Sequence, residues 1–160
     1  MDAGGMKVLI SRKRTSQLSK IPEEWRLPSL PPKESGVNAL QLIRNAGILS
    51  QKEMDITETT DVLVLLKKLA NKELSSVEVT TAFSKRAAIA HQLTNCCTEI
   101  FFEEALQSAR YADDYLARTG EILGPLHGIP VSLKDAFRVK GHDTTVGTVV
   151  SLCLIQIKLY

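Results

Sequence analysis

The residue of this sequence best placed to do chemistry is a lysine that directly follows a short apolar run. The segment GPLHGIPVSLKD, residues 124–135, ends this run at Lys134, where apolar neighbours can exclude water from the side-chain amine. A free lysine amine has a pKa of about 10.4, but burial penalises the ammonium form and can leave an amine that accepts protons. Residue types alone favour the plainer alternative, a surface lysine that ends a strand and bonds a loop.

The other polar residues around Lys134 are predicted to have structural roles. Ser132 can share the face of a strand with Lys134, while Asp135 is expected to point to the opposite face and to anchor the following loop. His127 and His142 flank the segment in predicted loops, where histidines commonly stabilise turns or are exposed, and the sequence identifies no nucleophile beside them. Lys134 is therefore the one catalytic candidate.

The elements that must position Lys134 are predicted to be helices followed by a late strand. Apolar residues at helical spacing, with matching caps, predict four helices. The first runs from Asn38 to about Gly47, and the second covers 58–71 after Thr57. The third extends for almost twenty residues after the Ser75–Glu78 capping box, and the fourth covers 104–118 before Gly120. In the last of these, Asp113 and Asp114 are expected outside the apolar stripe. The alternation over 129–134, with Pro130 near its start, predicts a short strand.

Composition predicts one main domain with an extension at each end. Residues 1–36 are expected to form an N-terminal helix, with a solvated basic cluster at 12–14, and a linking arm that holds four of the six prolines. Residues 37–147 form the main domain. Residues 148–160 are a divergent hydrophobic tail, shorter than the roughly 20 residues that a membrane-spanning helix needs.

The composition argues against a nucleic-acid partner, a membrane partner and secretion. With 20 Lys and Arg against 18 Asp and Glu, and 5% aromatic residues, a nucleic-acid surface is not expected. The three cysteines, of which Cys96 and Cys97 are adjacent, indicate neither a disulfide framework nor a spaced metal site, and this pair is expected to pack at a helix end. No signal peptide is evident. We expect a cytoplasmic chain with no membrane partner.

The sequence around Lys134, GPLHGIPVSLKD, resembles the lysine motif of amidase signature enzymes. The segment ELSSVEVTTAFSKRAAIAHQLTNCCTEIFFEEAL at 73–106 resembles the helical region just upstream in the fungal acetamidase-like branch, and IPEEWRLP at 21–28 resembles the N-terminal arm of that branch. The resemblance runs from about residue 7 to Gly147, and only the tail falls outside it.

The resemblance implies an α/β fold whose N-terminal helical part leads into the first strand of a mixed sheet, which this chain leaves incomplete. It implies hydrolysis of a small-molecule carboxylic amide to an acid and ammonia or amine by a Ser–cis-Ser–Lys triad, without a metal or organic cofactor. Lys134 matches the triad lysine, and backbone amides of a glycine- and serine-rich loop would hold the oxyanion. No such Gly-Gly-Ser-Ser-Gly-like run occurs in the 160 residues.

The missing serine loop leaves three interpretations open. The favoured one is an inactive, truncated amidase, because the resemblance stops abruptly after Gly147. The second is an enzyme completed by another chain, and the third is a non-enzymatic helical interaction module on the same scaffold. The sequence specifies neither the amide substrate nor the oligomeric state.

Overall fold

The computed structural model describes residues 3–31, 36 and 38–147, and these residues are helical wherever their structure is regular. In chain order the helices are α1 (Ala3–Ser19), a short 3-10 helix (Glu23–Trp25), α2 (Ala39–Asn45), α3 (Gln51–Glu58), α4 (Val62–Ala70), α5 (Ser76–Thr94) and α6 (Phe102–Thr119). None of these helices has the length and apolar character needed to cross a bilayer. The tail predicted at 148–160 lies outside the described residues.

Helix α5 is the central element, and its predicted capping box is confirmed. The hydroxyl of Ser75 accepts a hydrogen bond from the amide of Glu78 at 3.0 Å, and the Glu78 carboxylate accepts one from the amide of Ser75 at 2.8 Å. α5 ends at Asn95, which adopts the left-handed conformation with φ of 54°. Packing against α3 on one side and α6 on another, α5 contributes Val79 and Ile89 to the core as fully buried side chains.

Asp113 of α6 provides a second cap for α5. The position of Asp113 in the sequence does not reveal this role. Its two carboxylate oxygens accept hydrogen bonds from the amides of Ser76 and Val77, at 2.6 and 3.0 Å. These amides lie in the first turn of α5, where backbone donors lack partners within the helix and the helix dipole favours negative charge. The expectation that Asp113 lies outside the apolar stripe of α6 is wrong, because its side chain is half-buried against α5 and lies one turn from the buried residues Ala109 and Leu116.

The proline-containing arm is docked on the helices. Ile21 and Trp25 form a buried cluster with Ala88 of α5 and Ile100. The side chain of Gln92 holds the arm through its backbone, accepting from the amide of Leu27 at 2.9 Å and donating to the carbonyl of residue 25 at 3.0 Å. A second cluster, at the other end of α5, is formed by residues of α3, α4, α5 and the α4–α5 turn: Ile56, Leu65, Leu69, Leu74, Val79 and Ala82.

The predicted single helix over 58–71 is wrong at its N-terminal end. α3 already occupies the preceding residues and begins at a capping box in which the hydroxyl of Ser50 accepts from the amide of Glu53 at 3.3 Å. Thr57 is therefore inside α3, and its hydroxyl donates to the carbonyl of Glu53 at 2.9 Å. A new helix, α4, begins after Asp61, whose carboxylate accepts from the amide two residues later at 2.9 Å.

The strand predicted over 129–134 is not present in the structure. These residues have no regular secondary structure, and no strand occurs elsewhere in residues 3–31, 36 and 38–147 that could pair with them. A strand is defined by hydrogen bonds to a neighbouring backbone, so alternation of apolar residues alone cannot produce one. The α/β class expected from the sequence is thus represented here by its helical part alone.

Candidate functional site

The segment that carries Lys134 leaves α6 through tight turns. The amides of His127 and Ile129 each donate to the carbonyl three residues earlier, at 3.1 and 3.2 Å. Gly128 lies between them with a left-handed φ of 73°, which glycine adopts without steric cost. The turns bring the segment against the N-terminal end of α5.

Gly128 is a point of close approach between the segment and the helices. A β-carbon added there would lie 2.4 Å from the hydroxyl oxygen of Ser76 and 3.0 Å from a methyl carbon of Leu69. Both of these side chains are buried, at 0% and 1% exposure, so neither can swing into solvent to make room. The contact therefore requires glycine.

We expect Gly128→Ala to lower the free energy of unfolding by about 1–3 kcal/mol, because the methyl group overpacks this contact. The left-handed φ adds to the cost. Gly124→Ala is the matched control, since nothing lies within 4 Å of a β-carbon at that position. Urea denaturation followed by circular dichroism measures both variants. Equal unfolding midpoints would contradict the close approach.

His127 stabilises the turn from a buried position. Its side chain is 5% exposed, and its Nδ1 accepts a hydrogen bond from the amide of Leu123 at 3.2 Å. In the neutral imidazole this places the ring proton on Nε2, which has no hydrogen-bond partner in the described part of the chain. Because no hydroxyl or thiol is bonded to it, His127 is not placed as the base of a nucleophile.

The side chain of Lys134 is exposed, and the local hydrogen bonds of this residue are made by its backbone carbonyl. Its carbonyl accepts from the amides of Ala136 and Phe137, at 2.7 and 3.1 Å, which closes a turn after the segment. Its amine has no ion pair or hydrogen bond to any described residue, and Ser132 is exposed as well. The apolar shielding expected around this amine is therefore not provided by the residues that the structure describes.

Asp135 anchors the loop that follows, in agreement with the sequence-based expectation. Its carboxylate accepts hydrogen bonds from the amide of Thr145 at 2.9 Å, from the hydroxyl of the same residue, and from the amide of Gly147 at 3.3 Å. Partial burial acts to raise the pKa of Asp135, but these hydrogen bonds, chiefly those from Thr145, outweigh it and lower the pKa below its usual value. The carboxylate is thus committed to the loop.

This lowered pKa predicts an acid-dependent loss of stability. A carboxyl group whose pKa is lower in the folded state stabilises the fold above its unfolded pKa of about 3.9, and the stabilisation is lost as the pH falls through the folded value. We expect the difference in unfolding midpoint between the original chain and Asp135→Asn to be largest near neutral pH and to shrink below about pH 4. Asp114→Asn, which alters an exposed carboxylate, is the control. A difference that is constant with pH would contradict the expectation.

Charged side chains tie the same loop to α1 and α6. The amine of Lys13 donates to Asp143 at 2.8 Å and also bonds Glu99, and Nε2 of His142 lies 3.6 Å from the carboxylate of Glu104. Burial acts to lower the pKa of Lys13, but its hydrogen bonds to the two carboxylates and their charges raise it. The prediction that the basic cluster at 12–14 is solvated is wrong for Lys13, since its side chain is 21% exposed.

An open cavity of about 580 Å³ lies beside the segment. It is formed by one face of α6 and the turns that follow, with these lining residues: Thr80, Ala105, Ser108, Ala109, Ala112 and residues 123–131. Lys134 does not line it, and His127 is its one titratable residue. The cavity can accommodate apolar groups but does not by itself assemble a nucleophile, a base and an oxyanion site.

Known proteins provide a context for this geometry. The family model described as amidase matches residues 78–152, which include the whole segment with Lys134. An amidase of Gibberella moniliformis is 49% identical over 145 residues, covering 88% of this chain and 27% of that protein. An acetamidase of Emericella nidulans is 48% identical over 139 residues, covering 87% of this chain and 25% of that protein.

A solved structure is similar over the same region. The fatty acid amide hydrolase chain matches with a TM-score of 0.82 and 36% sequence identity, covering 91% of this chain and 26% of that one. The chain therefore spans about a quarter of the length of the relatives that it matches. The similarity concerns the helices and the segment after α6, and it leaves about three quarters of each relative without a counterpart here.

Proposed function

We propose that this chain belongs to the amidase family, whose model matches residues 78–152, and that it contributes Lys134 as the proton-accepting lysine of a site that hydrolyses a carboxylic amide. The observation that carries the proposal is the GPLHGIPVSLKD segment, which lies within the family match and resembles the lysine motif of amidase signature enzymes. A relative named acetamidase, 48% identical, supports a linear amide as substrate.

The surroundings of Lys134 are compatible with this role. A carboxylate paired with the amine would hold it in the charged form and oppose its action as a base. Asp135, the adjacent carboxylate, instead bonds the backbone and hydroxyl of the following loop. The amine therefore remains available to a serine hydroxyl.

The remaining parts of the site are proposed to come from sequence other than these 160 residues. They are the nucleophilic serine, the second serine of the triad, and the backbone amides that bind the oxyanion, none of which has a recognisable motif here. The same additional structure would shield Lys134 from water. It would also let residues 129–134 pair as a strand of the mixed sheet.

Exposed apolar side chains on the lysine segment support this completion. Val131, Leu133 and Phe137 are 60%, 52% and 61% exposed, and they lie on both sides of Lys134. Single exposed apolar residues are ordinary, but several along one short segment mark a surface that another part of a protein covers. The alternative of a non-enzymatic interaction module uses this same surface, and it is distinguished by activity.

The chemistry proposed for the completed site is acyl transfer to a serine. The Lys134 amine accepts the proton of the nucleophilic hydroxyl through the second serine, while the serine oxygen forms a bond to the amide carbon. The carbon–nitrogen bond then breaks as the proton passes to the leaving nitrogen, which departs as ammonia or amine. Water hydrolyses the acyl-enzyme by the same proton route and restores the serine.

A chimera tests the proposal directly. We would replace the matching region of the Emericella nidulans acetamidase with the corresponding residues of this chain and measure ammonia release from acetamide. Because the exchanged regions are 48% identical, we expect a folded chimera that hydrolyses acetamide. The 160-residue chain assayed alone should release no ammonia.

Two results would overturn parts of the proposal. A chimera that folds, as judged by circular dichroism and cooperative unfolding, but has no activity would show that this segment does not provide a working lysine. Turnover by the 160-residue chain alone would show that the serines do not have to come from elsewhere. In that case Lys134→Ala in the isolated chain identifies whether the lysine participates.

A further inference from the structure

The C-terminal end of α5 brings together three side chains that the amide-hydrolysing site does not use. Asn95 adopts a left-handed conformation, and its amide donates to the carbonyl of His91 at 2.7 Å. The chain therefore turns back over the last turn of the helix, which places Cys96 and Cys97 beside the imidazole of His91. Both thiols are free.

The distances in this cluster suit one metal ion. One ligand atom from each of His91, Cys96 and Cys97 can be chosen so that all three lie within 4.8 Å of one another, and the two sulfur atoms are 3.9 Å apart. Two thiolates bound to one tetrahedral ion at about 2.3 Å would be separated by about 3.8 Å, from the tetrahedral angle and the usual zinc–sulfur distance. The sulfur separation already matches that value, and a small movement of the imidazole completes the set.

We propose that His91, Cys96 and Cys97 form a binding site for a thiophilic cation such as Zn²⁺, with a fourth coordination position open to an external ligand. Thiolate and imidazole ligands select zinc-like ions over Mg²⁺ and Ca²⁺, which prefer oxygen. The C-terminal end of a helix also carries partial negative charge, which favours a cation.

The surrounding contacts preorganise the cluster. The side-chain amide of Gln17 in α1 donates to the carbonyls of Cys97 and Thr98, at 3.0 and 2.7 Å, and holds the turn against α1. The amide of Cys97 donates to Nδ1 of His91 at 3.2 Å, which fixes the ring in place. Because a neutral ring that accepts at Nδ1 carries its proton on Nε2, the ion would bind through Nδ1 and replace this one hydrogen bond.

The protonation states of the three side chains determine which protons zinc binding must displace. Burial lowers the pKa of His91, so the neutral imidazole that binds metals predominates at neutral pH. Burial, together with the neighbouring thiol of Cys96, raises the pKa of Cys97 to about 11, so this residue is a thiol before the ion arrives. Binding of Zn²⁺ forms two sulfur–zinc bonds and one nitrogen–zinc bond, and each sulfur that is a thiol when the ion arrives releases its proton to solvent.

Zinc titration of the reduced 160-residue chain tests the site without reference to amide hydrolysis. In competition with a chromophoric chelator, we expect one Zn²⁺ per chain. Cys96→Ser should weaken binding by at least about 100-fold, because it removes a directly bound ligand, and loss of even an outer-shell partner costs about 10–100-fold. Cys96 is exposed, so this change should leave the helices intact. Cys153→Ser is the matched control, since it removes a thiol from another part of the sequence.

Alkylation provides the second measurement. With Zn²⁺ present, mass spectrometry should find Cys96 and Cys97 protected from a thiol reagent, while Cys153 reacts at its zinc-free rate. Binding that is equal in the original chain and in Cys96→Ser would overturn the proposal. So would the absence of zinc binding by a chain whose circular dichroism shows the expected helices, or protection of Cys153 in place of the adjacent pair.

Discussion

Lys134→Ala in the chimera should lower kcat for acetamide by roughly 10²–10⁴-fold, which is the contribution usual for a positioned proton-transfer group. Without the amine, no group remains in this segment to accept the proton of the serine hydroxyl, because Asp135 bonds the following loop and His127 is buried in its turn. Since Lys134 is exposed and its amine makes no hydrogen bond or ion pair with the described residues, the variant should fold like its parent.

Two further variants separate proton transfer from other roles of the lysine. Lys134→Arg keeps the positive charge but cannot deprotonate in this pH range, so it should be as inactive as the alanine variant. Lys140→Ala removes another exposed lysine that is six residues away and should retain activity. Substantial activity in Lys134→Arg would contradict a role as proton acceptor and would indicate a purely electrostatic one.

Trp25→Ala should lower the free energy of unfolding of the isolated chain by about 3–5 kcal/mol, the cost usual for deleting a buried tryptophan side chain. Trp25 is 6% exposed and packs with Ile21, Ala88 and Ile100, and its ring lies 5.8 Å from that of Phe102. Since small domains have only about 5–15 kcal/mol of stability, this one change should remove a large share of it.

The matched control for this prediction lies in the same arm. Leu30 is 60% exposed, and Leu30→Ala should change the free energy of unfolding by less than about 0.5 kcal/mol. Urea denaturation followed by helical circular dichroism measures both. If the two variants unfold at the same urea concentration, the arm does not contribute to the core, and residues 21–27 are a linker instead.

Two capping boxes show what local sequence can predict. The Ser75–Glu78 box identifies the start of α5, and the Ser50–Glu53 box identifies the start of α3 by the same spacing. Such contacts join residues three apart, so they are readable without any knowledge of the fold. Thr57 resembles a helix cap but lies inside α3, so the prediction over 58–71 is wrong, whereas the capping-box spacing at Ser50 marks the true helix start.

The segment at 129–134 shows the opposite situation. Its alternation of residue types is that of a strand, but strand formation depends on hydrogen bonds to a backbone that is distant in sequence. Among the described residues no such partner exists, so the segment is irregular. The resemblance of this segment to the lysine motif could be recognised from the sequence, whereas its conformation could not.

The sequence by itself determined local features of this protein: the start of α5 at its capping box, the end of α6 at Gly120, the resemblance to amidases and the choice of Lys134 as the catalytic candidate. Only the tertiary structure decided which distant residues meet. Asp113 caps a helix 37 positions earlier, and Lys13 joins carboxylates 86 and 130 positions later. Local features follow from backbone geometry over a few residues, whereas these contacts depend on how the helices pack against one another, which no short stretch of sequence encodes.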